Sequence, residues 1–457
     1  MAKPKQPTAS RPTRLLAATE TTRKRKGGGK ATGKQRDFRA RVRMYRQGIG
    51  DCLLISLPQD GKDDPFHIMI DCGVLLGTPD QRGWMQRIVA DITQTTGGHV
   101  DLLVVTHEHW DHLSGFLDAA DELAALEFGQ VWMSWAENPE DEQAQALEAA
   151  RAQTIRTLRL AEARLGLAGA PEAEPLADLM SLFGSRGRST RDALDAARAH
   201  APACGPRYLE PGETVPLDGT GARVHVLGPP RDEALLRRSN PRRGEGYGLA
   251  PGFALDDALG VLSGAAQDGP FAARWGIPLA LAKSQPFFAR AIESPGQEWR
   301  RIDLAWLDGA LDLALRLDRD TNNSSLALAI ELDGGEVLLL AADAQVGNWL
   351  SWQTLDLDGT TADDLLARTV IYKVGHHGSH NATLRDKGLE RMTALKTALV
   401  PVDEAVARAR NWTRIPLPGL LEALDERTGG RVLRADTPTP KDAADIDANA
   451  LRIDVYV

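Results

Sequence analysis

The sequence predicts an α/β protein, and three observations indicate this class. Short apolar runs bounded by Gly, Pro or Asp recur along the chain, as is typical of buried strands. Stretches with helical periodicity separate several of these runs. Metal-ligating residue types cluster directly after two of the runs, and the C-terminal ends of strands are where α/β proteins usually carry their chemistry. With 457 residues, of which 42% are hydrophobic, the chain can bury one large core or two ordinary ones.

The N-terminal segment differs in composition from the rest of the chain. Residues 1–46 contain 15 Lys and Arg against only Glu20 and Asp37, a surplus of +13; since the net charge is −9, the remaining residues carry −22. We predict a disordered basic arm over residues 1–38, because this segment is rich in glycine and almost without large apolar side chains. The arm is either a solvated tail, a segment that attracts the phosphates of nucleic acid or of a polyanionic substrate, or a segment that folds back on the acidic body.

The part of the chain after this arm is predicted to begin with a β-hairpin, a strand, a helix and a further strand. Turn signals bound each strand, and the helix has apolar residues at helical spacing. In chain order the elements are ARVRMYRQG, DCLLISLP, FHIMIDCG, the helix QRGWMQRIVADITQTTG and the buried strand DLLVV.

Residues from about 139 to 310 are predicted to form a largely helical insertion. Residues 139–200 are rich in Ala, Glu, Arg and Leu and have the texture of helices. A strand follows at GARVHVLGPP, and residues 231–302 combine weak periodicity with several turn signals. We expect this insertion to cover or shape a cleft.

Strands resume after the insertion, so the order of elements indicates two similar α/β halves. The segment LALAIELDGGEVLLLAADA predicts a hairpin around Asp333, Gly334 and Gly335. It is followed by the strands TVIYKV and TALVPV, the helix LPGLLEALDERTG and the strand RVLRAD.

Composition also bears on the compartment. No run approaches the roughly 18 apolar residues of a membrane helix, and the N-terminus lacks the apolar core of a signal peptide. Cys52, Cys72 and Cys204 form no C-x-x-C pair, which predicts three reduced, buried thiols without a disulfide partner. We therefore expect a cytoplasmic protein that does not contact a membrane.

The stretch THEHWDHLSG carries the strongest chemical signal. In an extended loop, residues i and i+2 project the same way, so His107 and His109 can converge on one point. Asp111 and His112 follow from the next turn, and His and carboxylate are the ligands that a catalytic Zn²⁺ prefers. The H-x-H-x-D-H spacing therefore predicts two neighbouring metal sites, one with His107 and His109 and the other with Asp111 and His112.

This stretch resembles the signature of the metallo-β-lactamase superfamily. The resemblance implies a four-layer αββα sandwich over residues 39–457, with two metals at the joined edge of two sheets. It also implies roles for three further residues: Asp71 in MIDCG supports a ligand histidine from behind, Asp343 in LLLAADAQ bridges the two metals, and His377 in KVGHHGSHN binds the second metal.

A narrower resemblance covers about half of the chain, residues 40–135 and 310–436. Several segments are similar to the soluble metallo-hydrolase domain of ComEC-type competence proteins, which is thought to act as a nuclease or phosphodiesterase. These segments are QGIGDCLLISLP, HIMIDCG, TNNSSLALAIELDGGEVLLLAADA, KVGHHGSHN, ALVPVDEA and RVLRAD. The membrane channel of those proteins has no counterpart here, and RNWTRIPLP lacks the histidine often found in that loop.

The third ligand of the first metal has no clear counterpart in the chain. Only His200 and His225 occur between His112 and Asp343; we expect His200 on a helix surface and His225 in a structural role within a strand. His376 is an alternative to His377 as a ligand, or contacts the substrate.

A group of polar residues near the two sites could bind an oxyanion or a phosphate. Ser379 and His380 follow the histidine pair, and Asn323 lies in a predicted Asn322-Asn323-Ser324 turn.

These residues predict a metal-dependent hydrolase. We expect two divalent metals, Zn²⁺ first and Mn²⁺ as the alternative, which share a water and use the resulting hydroxide for attack. Asp111 is expected to orient this nucleophile as well as to bind metal. A phosphodiesterase or nuclease is the first prediction, and hydrolysis of another ester, a lactone or an amide is the second. A regulatory or binding module with a partly degraded metal site is the alternative outside the enzymes.

Overall fold

We analysed a computed structural model of the chain. It describes residues 38–168, 173–185, 187–241, 245, 284–288, 290, 291, 302–412, 414–440 and 443–457, and for residues 168 and 302–308 it describes the backbone alone. The predicted arm, residues 1–38, lies outside the described residues except for Phe38. Much of the predicted insertion, over residues 242–301, also lies outside them.

The chain forms two large β-sheets and a short hairpin. The strands are β1 (Arg41–Tyr45), β2 (Leu53–Leu57), β3 (Phe66–Ile70), β4 (His99–Val105), β5 (Glu127–Ser134), β6 (Gly184–Ser185), β7 (Arg188–Ser189), β8 (Arg207–Leu209), β9 (Thr214–Pro216), β10 (Arg223–Gly228), β11 (Ala327–Glu331), β12 (Val337–Leu340), β13 (Thr369–Lys373), β14 (Thr397–Val400), β15 (Val432–Arg434), β16 (Ile446–Ala448) and β17 (Arg452–Tyr456).

Strand order separates the two halves of the chain into the two sheets. Sheet I has the order β16-β17-β1-β2-β3-β4-β5-β8, and sheet II has the order β15-β14-β13-β12-β11-β10-β9. The predicted hairpins β1–β2 and β11–β12 are confirmed as antiparallel pairs. The C-terminal hairpin β16–β17, which the sequence did not predict, returns to sheet I and pairs with β1.

Helices cover parts of the outer surfaces and supply most of the described insertion. They are α1 (Gln81–Thr96), α2 (Trp110–Leu113), α3 (Gly115–Asp118), α4 (Ala120–Leu123), α5 (Glu142–Ala168), α6 (Ala173–Met180), α7 (Thr190–Arg198), α8 (Glu233–Leu236), α9 (Pro286–Phe288), α10 (Ile302–Asn323), α11 (Val346–Ser351), α12 (Ala362–Ala367), α13 (Glu404–Ala409) and α14 (Pro418–Thr428). Within the described residues, no helix combines the length and the apolar character that crossing a bilayer requires.

The central strands are buried on both faces, which explains why they consist of continuous apolar runs. In β12, Leu338 packs in a core that contains residues of both sheets, whereas the next residue, Leu339, packs in a core with helices of sheet II. In β3, Ile68 joins the shared core, and Met69 packs with Ile88 of α1. This alternation is the period-two pattern of strands with an occupied layer on each side.

These observations confirm the predicted α/β class and most of the predicted elements. The helix α10 is a clear difference, because its Asn322 and Asn323 end a helix where the sequence suggested a turn. The cysteine prediction was wrong for one thiol, since Cys204 is exposed while Cys52 and Cys72 are buried.

Candidate metal centre

The candidate site lies where four parallel-paired strands end. Strands β3 and β4 are parallel neighbours in sheet I, and β12 and β13 are parallel neighbours in sheet II. Asp71 follows β3, the loop 106–109 follows β4, Asp343 follows β12, and the pair His376 and His377 follows β13. A backbone hydrogen bond of 2.9 Å from Leu326 N–H to Thr106 O links this edge of sheet I to the start of β11.

Backbone contacts fix the metal-ligand loop against the preceding loops of sheet I. The N–H of Cys72 donates to His112 O at 2.9 Å, and the N–H of Asp51 donates to Asp111 O at 3.0 Å. Such close approach requires glycine, because a Cβ on Gly50 or Gly73 would lie 2.6 or 2.3 Å from Asp111 O. The loop that carries the predicted ligands is therefore held in place by backbone hydrogen bonds and close packing.

Four predicted ligands converge in one cluster. Asp111, His112, Asp343 and His377 each present one ligand atom, and these atoms all lie within 4.8 Å of one another. His377 Nε2 is 2.9 Å from Asp111 Oδ2, and His112 Nε2 is 3.2 Å from Asp343 Oδ2. All four side chains are buried. We call these residues the four-group cluster; two imidazole nitrogens and two carboxylates match the donor set that zinc prefers.

Hydrogen bonds to the far side of each ring orient the two histidines of the cluster. His377 Nδ1 lies 2.7 Å from Pro401 O, which can only accept, so this nitrogen carries a proton and Nε2, 2.9 Å from Asp111 Oδ2, is the nitrogen that a cation would bind after Nε2 loses its own proton. His112 Nδ1 likewise donates to Asp71 Oδ2 at 2.8 Å, because an ionised carboxylate oxygen can only accept. Asp71 also accepts hydrogen bonds from Thr106 N and Thr106 Oγ1, at 2.9 and 2.7 Å. Asp71 thus lies behind the ring of His112, as expected of a residue that supports a ligand histidine.

His107 and His109 form a separate pair. His107 Nε2 lies 3.1 Å from His109 Nδ1, close to the spacing of about 3.3 Å that two imidazole nitrogens have on a tetrahedral zinc. Thr106 Oγ1 donates to Asp71, so it accepts from His107 Nδ1 at 3.0 Å and leaves the lone pair on Nε2. Within the part of the chain that the structure describes, no third His, Cys, Asp or Glu joins this pair in a metal-binding group.

Neither of the two histidines considered for the third ligand lies with this pair. His200 packs against Phe116 and Phe128 after the end of α7. His225 in β10 bonds to Thr214 Oγ1 at 3.0 Å and to Glu331 Oε2 at 2.9 Å.

Buried polar atoms without partners indicate that the donor set fits a cation. Asp111 Oδ1 and His112 Nε2 are buried and have no hydrogen-bond partner among the described residues. An unpartnered buried polar atom costs about 1–3 kcal/mol, and more when it is charged. A divalent cation that these atoms coordinate would offset that cost.

The two ligand sets differ electrostatically. Burial opposes charge on His112, but Asp343 and other carboxylates outweigh it and raise its pKa well above the usual value. Burial also opposes ionisation of Asp343, yet His112 and Lys373 hold its pKa well below the usual value. At the His pair, burial and the other histidines lower the pKa of His107 well below its usual value. Burial lowers the pKa of His109 to about 3.

A buried lysine, which the sequence analysis did not single out, completes the charge balance of the four-group cluster. Lys373 Nζ forms an ion pair with Asp51 and lies 3.4 Å from Asp343 Oδ1 and 3.2 Å from Ala342 O. Burial opposes its charge, but Asp51 and Asp343 raise the pKa of Lys373. A lysine inside the apolar strand TVIYK was the available signal, because a buried ammonium is costly unless it is paired.

His376 contacts the cluster through its backbone rather than through its ring. Its N–H donates to Asp343 Oδ1 at 3.0 Å, and its ring bonds to Ser379 Oγ at 2.7 Å and to Asn322 Nδ2 at 3.3 Å. His377, not His376, has its ring in the four-group cluster, so the geometry favours His377 as the ligand.

Asn323 has no polar atom available for a ligand. Its Nδ2 donates to Leu235 O and Leu236 O, both at 2.7 Å, and its Oδ1 accepts from Gln345 N and Asn348 N at 3.2 and 3.0 Å. The geometry therefore does not support the substrate contact predicted for Asn323. Its neighbour Asn322 instead contacts two residues that line the cavity, because its Nδ2 lies 3.3 Å from both Asp318 Oδ1 and His376 Nε2.

A cavity of about 310 Å³ opens onto both ligand sets. Its lining includes His109, Asp111, Asp343, His376, His377, Ser379 and His380. The insertion contributes Leu179 and Leu182, and α10 contributes Asp318 and Arg319. The insertion thus shapes the cavity through α6 and the turn that follows it.

Asp318 is a buried carboxylate that sequence reasoning missed. Its Oδ1 lies 3.9 Å from His109 Nε2, and it accepts a 3.3 Å hydrogen bond from Asn322 Nδ2. Burial, reinforced by Asp111 and Asp343, raises the pKa of Asp318 to about 7.

The insertion is also bonded to the ligand loop. Glu108, between the two histidines of the pair, bonds to Arg151 of α5 at 2.9 Å and to Thr190 of α7 at 3.0 Å. All three side chains are buried, so this network ties two insertion helices to the loop.

Left-handed backbone conformations recur at the strand ends that carry the site. Asp71, Ala342, His376 and His377 have φ values of 54°, 48°, 42° and 53°. Non-glycine residues rarely adopt this region, and such outliers concentrate at functional sites.

Comparison with known proteins gives little further information. No protein-family model matches the chain, and no curated protein matches it. Among solved structures, a beta-lactamase domain protein from Burkholderia ambifaria is similar at 19% sequence identity, with a TM-score of 0.22. The match covers 41% of this chain and 45% of that protein, so the chain spans less than half of its length. A likeness this weak defines neither the fold nor the function.

Proposed function

We propose that this protein is a metal-dependent hydrolase of phosphodiesters, a phosphodiesterase or nuclease. One observation carries the proposal: the four-group cluster and the His107–His109 pair open onto the same cavity, so two cations could act on one bound substrate. Asp111, His112, Asp343 and His377 would hold one divalent cation, Zn²⁺ or Mn²⁺. His107 and His109 would hold the other, with Asp343 as a candidate ligand shared with the first.

The chain's own residues have distinct tasks in this proposal. A bound divalent cation would act as a Lewis acid and lower the pKa of water. Asp111 would use its unpartnered Oδ1 to orient the attacking water, since its Oδ2 lies beside His377. The Asp318 carboxylate, whose Oδ1 lies 3.9 Å from His109 Nε2, would favour a proton on Nε2 by its charge and leave Nδ1 directed at His107. Leu179 and Leu182 would exclude bulk water from one wall of the cavity.

We infer that the fold is the four-layer αββα sandwich of the metallo-β-lactamase superfamily, nearest to the soluble domain of ComEC-type proteins. Three apolar cores support this inference: one with residues of both sheets, one between sheet I and α1, and one between sheet II and helices such as α14. The order of the ligands along the chain supports it as well.

The basic N-terminal arm supports a polyanionic substrate. Residues 1–46 carry a surplus of +13 in a chain whose remaining residues carry −22, for a net −9. We propose that the arm attracts nucleic acid or another phosphodiester to the site.

The His107–His109 pair favours a second candidate, a binding or regulatory module. Since no third ligand joins this pair in the described part of the chain, the site could hold a cation without turnover.

Metal analysis combined with a substrate screen separates the two candidates. The purified full chain would be assayed for tightly bound metal by mass spectrometry. With Zn²⁺ or Mn²⁺ added, it would be tested on bis-nitrophenyl phosphate, single-stranded DNA, a lactone and a β-lactam. The proposal expects at least one bound metal per chain and turnover of the two phosphodiesters. A well-folded protein with bound metal but no turnover would support the binding module, and turnover of the lactone or β-lactam alone would replace the substrate class.

A matched histidine control makes this screen specific. His99 lies at the start of β4, opposite the end that carries the ligand loop, and its side chain is half exposed. His99→Ala should leave metal content and turnover unchanged, whereas His112→Ala should lower both.

A further inference from the structure

Two arginine side chains line the cavity in addition to the predicted metal ligands. Arg319 of α10 and Arg414 of the loop after α13 both line the cavity. Within the described residues, neither guanidinium has an ion-pair or hydrogen-bond partner. The chain is acidic overall and pairs many of its arginines with carboxylates, as with Arg151 and Arg434. Arg414 is exposed to solvent, but Arg319 is partly buried, so the unpaired charge of Arg319 in particular requires an explanation.

His380 lies near both arginines. Burial lowers the pKa of His380, and the charges of Arg319 and Arg414 lower it further. Its Nε2 is buried without a hydrogen-bond partner among the described residues. Three nitrogen-bearing side chains from three separate segments thus line the same cavity, with donors that an anion could use.

Gln345 gives an independent indication of a ligand. Its side chain is fully buried, it lines the cavity, and both Nε2 and Oε1 lack a hydrogen-bond partner in the described part of the chain. A buried amide with both ends unsatisfied is costly unless a ligand or water binds it. The cavity is therefore built to take a polar molecule beyond the metal ligands.

We propose that Arg319, Arg414 and His380 form an anion subsite that binds a second phosphate of the substrate, while the scissile phosphodiester lies at the four-group cluster. This inference rests on the proposed function and narrows it to substrates with a phosphate next to the scissile one, such as nucleic-acid ends or phosphorylated nucleotides. Gln345 binds an uncharged polar group of the same molecule.

A binding experiment tests the subsite without turnover. Isothermal titration calorimetry on the full, metal-loaded chain compares thymidine 3′,5′-bisphosphate with thymidine 5′-monophosphate. We expect the bisphosphate to bind at least about tenfold more tightly, because its second phosphate gains charge-assisted hydrogen bonds. In the double variant Arg319→Gln/Arg414→Gln, this preference should fall to about twofold or less.

A matched arginine serves as the control. Arg82 of α1 is exposed and does not line the cavity, so Arg82→Gln should keep the full preference. Equal binding of the two nucleotides by the wild-type chain, or an unchanged preference in the double variant, would overturn the subsite.

Turnover of the p-nitrophenyl ester of thymidine 5′-phosphate, which has no second phosphate, distinguishes the two proposals. Absent turnover with an intact bisphosphate preference contradicts the hydrolase and leaves the subsite. Normal turnover without that preference contradicts the subsite alone.

Discussion

The four-group cluster and the His107–His109 pair both draw residues from the loop after β4, yet they differ in completeness. The cluster draws Asp111 and His112 from the loop and adds Asp343 and His377 from sheet II. The pair has only its two loop histidines within the described residues. A ligand set becomes complete here only when both sheets contribute to it.

The two ligand sets also differ in charge, because only the cluster contains carboxylates. The cluster contains two carboxylates whose pKa values are held below their usual range, although burial opposes ionisation. The pair consists of two imidazoles whose pKa values burial lowers, so they are neutral near pH 7. Ionised carboxylates attract a divalent cation more strongly than neutral imidazoles do. We therefore expect the cluster to bind metal first and the pair to bind it more weakly.

Removing Asp343 should give the largest effect, because this carboxylate lies in the cluster and is the candidate bridge to the pair. We expect Asp343→Ala to lower hydrolysis of bis-nitrophenyl phosphate by more than about 100-fold, since even partners behind the ligands are worth about 10–100-fold. Steady-state kinetics and metal analysis measure the loss. Asp386→Ala, at an exposed carboxylate nine residues after His377, is the control; activity near wild type in Asp343→Ala would contradict its placement.

Single histidine variants test the order of binding directly. His112→Ala should remove metal from both sets, whereas His109→Ala should leave about one tightly bound metal per chain. The metal content of each variant after gel filtration shows which set binds metal first. If His109→Ala loses all metal while His112→Ala retains it, the order is reversed.

Replacing Lys373 tests whether its ammonium group stabilises the carboxylates of the four-group cluster when no metal is bound. Lys373→Met removes the ammonium group beside Asp51 and Asp343, so the metal-free protein should lose about 3–5 kcal/mol of unfolding free energy. Added Zn²⁺ should recover much of this loss, because a divalent cation supplies the missing positive charge. Urea denaturation with and without metal measures both quantities. An equal loss in both conditions would mean that Lys373 acts on the fold and not on the cluster.

The support of His112 by Asp71 should have a smaller effect. Asp71→Asn keeps the shape of the side chain but weakens the bond to His112 Nδ1, now 2.8 Å long. We expect metal affinity of the cluster to fall by about 10–100-fold, with the affinity of the pair changed less. Competition with a zinc chelator resolves the two affinities, and an unchanged first affinity would contradict this role.

The smallest expected effect is on the pH dependence of protein stability in acid. Burial, followed by the charge of Arg41, lowers the pKa of His67 to about 4, well away from the site. Because this folded-state pKa lies below the unfolded value of about 6.5, the unfolded state binds more protons between pH 6.5 and 4. Stability should therefore fall as the pH drops through this window, by up to about 1.4 kcal/mol per pH unit from this residue.

His67→Gln removes this contribution and keeps a partner for Ser56 Oγ, which lies 3.0 Å from His67 Nδ1. Urea denaturation of both proteins at pH 7 and pH 5 should give a smaller pH dependence in the variant. Equal slopes would place the acid sensitivity elsewhere.

The local part of the site could be predicted from sequence because its residues are neighbours in the chain. The spacing of His107, His109, Asp111 and His112 is by itself enough to indicate metal ligation. All four residues follow β4, a buried strand that the sequence predicted. Asp343 and His377 needed the resemblance, since periodicity cannot pair residues across two sheets.

The residues that sequence reasoning missed act through contacts between distant segments. Asp51 and Lys373 are more than 300 residues apart, and only the meeting of the sheets joins them. Asp318 and Arg319 lie on α10, a helix that was not predicted because its residues adjoin a stretch of weak periodicity. The pairing of β17 with β1 was missed for a related reason, because it joins the two ends of the domain.

The left-handed turns at Ala342, His376 and His377 have a consequence for the entropy of metal binding. A residue with a Cβ keeps this disfavoured conformation only where the surrounding structure holds it, so packing fixes these strand ends even when no cation is bound. The ligand atoms of Asp343 and His377 are thus preorganised during folding, before any ion arrives. Ala342→Gly would free the backbone next to Asp343; the chain would gain flexibility there and would have to give it up again each time it captured a metal.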